Sequence, residues 1–287
     1  MRSSLEEINL LEEAKKILGA YKIRPKRRLG QNFLIDGKII EKLVSHASID
    51  ESDTVLEIGA GLGFLTERLA RAAGQVIAVE IDPKLIKILN NRLKKYRNLI
   101  ILRGNIMKIP LPAFNKVVSV PPYSISSPLL FWLLKKKFEN AVLTFQEEFA
   151  RRLAASPSTK DYGRLTVTVY YYAEVDLLDI IPRECFWPTP EVDSMIVRLR
   201  PRKPPFHVEN EREFFDFIRA VFTQKNKKLR NSVRFFLNRR GLSKRDALAI
   251  IDSISFHSRR ARELTLEELG LVFNDLIGKV RELESAS

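Results

Sequence analysis

From about residue 38 the chain alternates between two hydrophobic patterns. Short, largely apolar runs at residues 54–58, 75–80, 99–102, 116–119 and 141–145 have the length and branched side chains of buried strands. Before, between and after them, apolar residues recur every three or four positions over 39–46, 64–72, 83–95, 128–137 and 146–155, which predicts helices. Such alternation predicts a mainly parallel sheet covered on both faces. The pattern then changes. Residues 164–175 form a β-branched and aromatic run that reads as a strand, and 192–199 alternate like another. Two late strands with no helical pattern between them predict an antiparallel addition at the sheet edge. Residues 182–190 read as a loop, and Pro201-Arg202-Lys203-Pro204-Pro205 as a linker. Beyond it, helical spacing returns over 211–222, 227–239, 244–253 and 266–283. The expected domains are therefore 1–203, with an N-terminal helical and basic extension, and an all-helical 204–287.

Composition narrows the partners. The chain has 287 residues, 45% hydrophobic, and a formal net charge of +14, which points to a polyanion, nucleic acid first. The one cysteine, Cys185, precludes an internal disulfide, and three scattered histidines suggest no metal site. Residues 5–13 read as an acidic amphipathic helix rather than a signal peptide. No apolar run approaches the ~18 residues of a membrane span. A soluble, cytoplasmic, monomeric protein is expected.

Two loops carry candidate chemistry. Glu57-Ile58-Gly59-Ala60-Gly61-Leu62-Gly63 follows a strand and opens a helix. Glycines let the backbone turn tightly and approach a ligand, and the helix N-terminus adds a positive dipole. A dinucleotide fingerprint wants its third glycine three residues after the second, where Phe64 stands. The spacing matches instead the loop that closes on S-adenosylmethionine, with Glu57 facing the ligand's amino-acid part. Glu80, at the end of the next strand, suits ribose hydroxyls, with Ile81 beside it. Asp82 reads as a helix cap. Asn105 and Ile106, after the third strand, are placed to read adenine. The second loop is Val118-Ser119-Val120-Pro121-Pro122-Tyr123. Enzymes that methylate exocyclic amino groups of bases build their target pocket from such a corner. Its prolines stiffen the turn and carry no N–H, and the tyrosine offers a face for stacking. An ordinary proline turn is the alternative for this short motif alone.

Basic residues supply a third feature. Residues 225–245 carry nine Lys or Arg and no acid, interleaved with Phe235 and Phe236, and residues 22–28 carry five. Arg27, Arg28, Lys225, Lys227, Lys228, Arg230 and Arg234 are the candidate phosphate contacts. A solvated helix face is the alternative, and the two phenylalanines read as core.

Gly30-Gln31-Asn32-Phe33-Leu34, the glycine loop, Glu80, the Pro-Pro-Tyr corner with Ser124-Ile125-Ser126-Ser127-Pro128, and Phe186-Trp187-Pro188-Thr189-Pro190-Glu191-Val192-Asp193-Ser194 occur in one order. Together with 146–151, 162–165 and 222–231, this set resembles the KsgA-type rRNA adenine dimethyltransferases. The resemblance implies a Rossmann-like α/β methyltransferase sheet, mainly parallel with an antiparallel edge strand, plus a small all-helical C-terminal domain. It implies methyl transfer from S-adenosylmethionine to N6 of two adjacent adenines near the 3′ end of small-subunit rRNA. Gln31, Asn32, Leu34, Glu57, Gly59, Gly61, Gly63, Glu80, Ile81, Asn105, Ile106 and Ser119 are then expected at the cofactor. Val120, Pro121, Pro122 and Tyr123 are expected at the target base, with Phe186 on its other face or in the core. Ser119 is also a stand-in acceptor if the corner shifts by one residue.

Two departures stand out. Asn105 replaces the family's usual Asp, a mild change, since an amide oxygen still accepts. Val120 replaces the family's Asn, which accepts a hydrogen bond from the target amine. The loss of that acceptor predicts slower catalysis, or an assembly factor that binds cofactor and rRNA but barely methylates. A DNA adenine methyltransferase is disfavoured by the C-terminal resemblance, and a dinucleotide oxidoreductase by the glycine spacing.

Overall fold

The computed structural model describes residues 9–238, 240 and 242–286. Helix α1 (Leu10–Ala20) starts at Asn9, whose side chain accepts from the Glu12 amide at 3.2 Å. Residues 5–8 of the expected N-terminal helix, and Arg239 of a later one, lie outside the described residues. The chain forms two units. One runs up to Ala150 and takes in Val175–Pro201; the other is Arg151–Glu174 with the chain from Arg202 onward.

The first unit is built on a seven-stranded sheet. Its strands are β2 (Thr54–Ile58), β3 (Gln75–Glu80), β4 (Leu99–Arg103), β5 (Lys116–Ser119), β6 (Asn140–Gln146), β7 (Ala173–Ile181) and β9 (Ser194–Pro201). They lie in the order β4-β3-β2-β5-β6-β9-β7. Neighbours from β4 to β6 pair in parallel. Strand β9 runs antiparallel to β6, Gln146 opposite Ser194 and Ala141 opposite Leu199. A two-residue strand β1 (Phe33–Leu34) pairs with β8 (Phe186–Trp187) inside the segment expected as a loop. Helices α2 (Gly37–Ala47), α3 (Phe64–Ala72), α4 (Pro83–Arg92), α5 (Ser126–Leu133) and α6 (Glu147–Leu153) connect the strands. Val55, Leu69, Val76, Ile88, Val118, Val142 and Ile196 share one core cluster. Central strands are therefore buried along their length, as parallel strands covered on both faces must be.

The order places the site. From β2 the chain winds to β3 and β4 on one side, then to β5 and β6 on the other. The reversal falls between β2 and β5, whose C-terminal ends carry the glycine loop and the Pro-Pro-Tyr corner. Open α/β sheets bind ligands at such a switch point.

The strand expected over 164–175 is instead helix α7 (Arg164–Tyr172), and strand β7 begins at Ala173. Branched and aromatic residues favour strands, yet burial overrides propensity here. Leu165 and Val169, and Val167 and Tyr171, fall four apart and are buried. Tyr171 meets the rings of Phe206 and Phe215 at 5.5 and 5.4 Å. The Gly163 amide donates to Thr166 Oγ1 at 3.2 Å, fixing the helix start.

The second unit adds α8 (Glu211–Thr223), α9 (Leu229–Asn238), α10 (Lys244–Ser253) and α11 (Leu266–Ala286). On α8, Phe214, Phe217, Ile218 and Val221 form the buried stripe of an amphipathic helix. This unit begins its second segment at Arg202, next to the expected boundary at 203/204, but also takes in 151–174. Arg202 in the expected linker is held: its amide donates to the Tyr172 carbonyl at 3.0 Å. Among the described residues, no helix is long and apolar enough to cross a membrane.

Candidate active site

At the end of β2 the backbone turns through Gly59 (φ +81°) and Gly61 (φ +58°), a region other residues rarely adopt. A Cβ at Gly59 would lie 3.3 Å from Pro122 Cδ, and one at Gly61 3.2 Å from the Phe33 ring. The loop thus packs against both the proline corner and the 31–34 segment. Gly63 differs. It caps α3 at φ +83°, and a Cβ there would strike Leu89 Cδ2 at 2.8 Å. It does not line the cleft; its part is to let α3 pass close to α4.

The cleft between these loops contains about 1030 Å³ of space, part of it open to solvent. Gln31, Asn32, Gly59, Gly61, Glu80, Ile81, Asn105, Ile106, Val120, Pro121, Pro122 and Tyr123 all line it, as does Arg28. Glu80 ends β3, buried, with Oε2 accepting from Gly61 N at 3.0 Å and Oε1 from the amides of Ile81 and Asp82, both at 2.8 Å. Burial raises its carboxyl above the ordinary range despite these three donors. Asn105 Oδ1 accepts from the Met107 amide at 3.0 Å, which fixes the side chain at the cleft wall.

Asp82 caps α4 through Lys84 N at 3.1 Å, as expected. It does more than the sequence suggested: its fully buried Oδ2 meets Lys26 Nζ at 2.7 Å and accepts from Gln31 Nε2 at 3.0 Å. Gln31 Oε1 in turn accepts from Lys26 N at 2.8 Å. Burial alone would raise the Asp82 carboxyl; Lys26, the Lys84 amide and Gln31 outweigh it and hold it below the usual range. The basic segment is thereby tied to the end of β3. Lys26 was legible only as one charge among five.

A smaller cavity adjoins, lined by Asn32, Leu34, Glu57, Gly59, Gly61 and Val120 among others. Asn32 and Val120 line both. Glu57 is 2% exposed, and its Oε2 has no hydrogen-bond partner. Burial pushes its carboxyl up to about 8, and nearby Glu80 adds to the rise. Ser119 lines neither cavity. Its hydroxyl donates to Ile58 O at 2.5 Å and accepts from Ile58 N at 3.2 Å, stitching β5 to β2. It is thus committed to the sheet rather than to a ligand or to an acceptor role.

At the corner, the Pro122 carbonyl accepts from Ile125 N at 3.1 Å. The Tyr123 hydroxyl lies 2.5 Å from Ser194 Oγ on β9. Phe186 is 1% exposed and does not line the cleft; its ring meets that of Tyr123 edge-on at 6.5 Å and 74°. Of the two places the sequence allowed it, core or open face of the base pocket, it occupies the core.

The basic candidates divide. Arg27, Arg28, Lys227, Lys228, Arg230 and Arg234 are exposed. Lys225 is partly buried, and Nζ donates to the carbonyls of Lys160 and Tyr162 at 2.9 and 3.1 Å, a structural role. Arg230 pairs with Asp252 at 3.2 Å. Phe236 is core, but Phe235 is 49% exposed.

Residues 23–258 match the profile described as ribosomal RNA adenine dimethylase. The chain is similar to a probable ribosomal RNA small subunit methyltransferase A of Methanosarcina acetivorans: 46% identity over 263 residues, 91% of this chain and 96% of the relative. It is 41% identical over 254 residues to the protein of that name in Thermococcus gammatolerans, covering 88% and 90%. Among solved structures, it resembles a dimethyladenosine transferase from Plasmodium falciparum with a TM-score of 0.77, 31% identity and 85% and 97% coverage. It also resembles the 23S rRNA methyltransferase ErmE, with a TM-score of 0.65, 30% identity and 86% and 100% coverage. The chain belongs to the ribosomal RNA adenine dimethylase family, methyltransferases whose donor is S-adenosylmethionine.

Proposed function

We propose that this chain dimethylates N6 of two adjacent adenines near the 3′ end of small-subunit rRNA during subunit assembly. One observation carries the reading. The glycine loop, Glu80 and Asn105 share a single cleft with Pro121, Pro122 and Tyr123, so donor-binding and base-binding residues face one space.

The residues fit the donor. Gly59 and Gly61 line the cleft, and their positive φ turns the backbone along its wall. The unpartnered Glu57 Oε2 suits the ammonium of an amino-acid end. Glu80 suits ribose hydroxyls, and Asn105 with Ile106 the adenine ring. S-adenosylmethionine supplies a sulfonium methyl already activated for attack, so no metal is needed.

The rest falls to the chain. The adenine N6 lone pair is delocalised into the ring and attacks poorly until acceptors around the amine localise it. Positive charge develops on nitrogen, and preorganised acceptors stabilise it. With the Pro122 carbonyl engaged by Ile125, the Pro121 carbonyl takes this role. Tyr123 stacks on the base, which must be unpaired or flipped out to reach it. Alignment of amine and methyl supplies much of the rate. Val120 adds no acceptor; by analogy with removal of one preorganised donor, this costs ~10²–10³ in rate. The second methylation, on a bulkier amine, suffers most.

Mass spectrometry of rRNA from unmethylated small subunits incubated with protein and donor tests the reading. Two dimethylated adenines are expected, and Val120→Asn should speed the second transfer in single turnover. Equal rates for both proteins would reject the role given to position 120. Val120 also favours a second reading, an assembly factor that keeps donor and rRNA binding. Tight binding of both without methylation of either adenine would establish that instead.

A further inference from the structure

We infer that Ser194 is a positioning residue for methyl transfer: its hydroxyl, anchored in β9, holds the Tyr123 phenol and so fixes the ring that receives the target base. The inference rests on the base-stacking reading of Tyr123. Three observations carry it. Ser194 is fully buried and begins β9 opposite Gln146, so its Oγ is held by sheet pairing rather than by a loop. The Tyr123 hydroxyl lies 2.5 Å from that Oγ, across 71 residues of sequence. Phe186 packs edge-on against the same ring at 6.5 Å. Tyr123 itself sits in a single 3-10 turn (Tyr123–Ile125), which alone sets its direction weakly.

A stacking ring works only if its plane is fixed before the base arrives; otherwise ordering it subtracts from binding and alignment. The phenol tip is the far lever arm of that ring. Fixing it at Ser194, with Phe186 against its side, leaves the remaining face for the base. Ser194 touches neither donor nor base and acts only through Tyr123.

Four proteins test this: wild type, Ser194→Ala, Tyr123→Phe and the double variant. Each is checked for donor affinity by calorimetry and for single-turnover methylation of unmethylated small subunits. A lost hydrogen bond of this kind corresponds to about a tenfold change. Ser194→Ala should therefore slow transfer about tenfold with donor affinity unchanged. Tyr123→Phe should match it, and the double variant should be no slower than the slower single one. Transfer at the wild-type rate by Ser194→Ala, or losses that multiply in the double variant, would overturn the inference. The contact has a readout without catalysis. With tyrosine labelled at ¹³Cζ, the Tyr123 resonance should move in Ser194→Ala while the other tyrosine signals stay; an unmoved Tyr123 signal also overturns it. A shifted Tyr123 signal in Ser194→Ala together with a wild type that methylates no rRNA would instead refute the proposed function.

Discussion

Glu57 and Glu80 lie at the C-terminal ends of neighbouring parallel strands, Glu57 one residue before the end of β2 and Glu80 the last of β3, yet burial treats them differently. Glu80 has three amide donors; Glu57 has an oxygen with none. The Glu57 carboxyl, pushed up to about 8 by burial, stays protonated in the folded chain where an unfolded glutamate has ionised. Between the ordinary glutamate range and about 8 the folded state therefore binds the extra proton, and stability falls as pH rises through that window. Glu57→Gln removes this loss. Its Tm should exceed that of wild type by several degrees at pH 8, and the gap should close toward pH 5. A gap constant across that range in paired melting curves would show that Glu57 ionises normally. At this scale the sequence reveals residues whose role follows from local position: Glu80 closes a strand after a glycine loop, and Asp82 precedes a proline-led helix. It hides Ser194 and the Lys26–Asp82 pair, because each forms only when distant segments meet. Nothing local distinguishes Ser119, whose hydroxyl serves the backbone, from a serine that faces a ligand.

Elements whose composition and burial agree are readable in advance. Strands β2, β3 and β5 read as apolar runs because both faces are covered, and their observed bounds match those read from the sequence. Helix α7 fails that test because its stiff, aromatic residues favour a strand while its neighbours bury them at helical spacing. Strand β8 is invisible for another reason: two residues become a strand only by pairing with β1. The glycine loop and the proline corner are each legible, but their mutual contact is not, and that contact is testable. At Gly59 an alanine must adopt φ +81° and bring its Cβ to 3.3 Å from the rigid Pro122 ring. The left-handed conformation alone costs ~1–2 kcal/mol, a fall of roughly 2–8 °C in Tm at the ~2–4 °C per kcal/mol of a domain this size. Gly59→Ala should also slow methyl transfer, since either the loop or the corner must yield. An unchanged Tm would mean that the turn relaxes without strain.

Across the whole molecule the two units carry separate chemistry: the cleft lies in the sheet unit, the basic stripe in the helical one. The division is only partly linear in sequence. Residues 151–174 return to the helical unit, where Val167 and Tyr171 join Phe214 and Val233 in its core. A proline-rich segment marks a boundary by composition, whereas an excursion of this kind is defined by packing alone. The same distinction sorts the basic residues. Charge runs along 225–245, but Lys225 donates to two carbonyls and Arg230 pairs with Asp252, so part of that charge is already spent on the fold. Lys227, Lys228 and Arg234 are exposed, the last beside the exposed Phe235. Phosphate contacts release counterions, each contributing roughly 0.7–0.9 to the slope of log affinity against log salt. Replacing Lys227, Lys228 and Arg234 with Gln should therefore weaken rRNA binding and flatten that slope by about 2. Donor affinity should not change, because those residues lie outside the unit that forms the cleft. Salt titrations of wild type and variant on the same rRNA fragment decide the matter: parallel lines would place the phosphates elsewhere, with Arg27 and Arg28 next in turn.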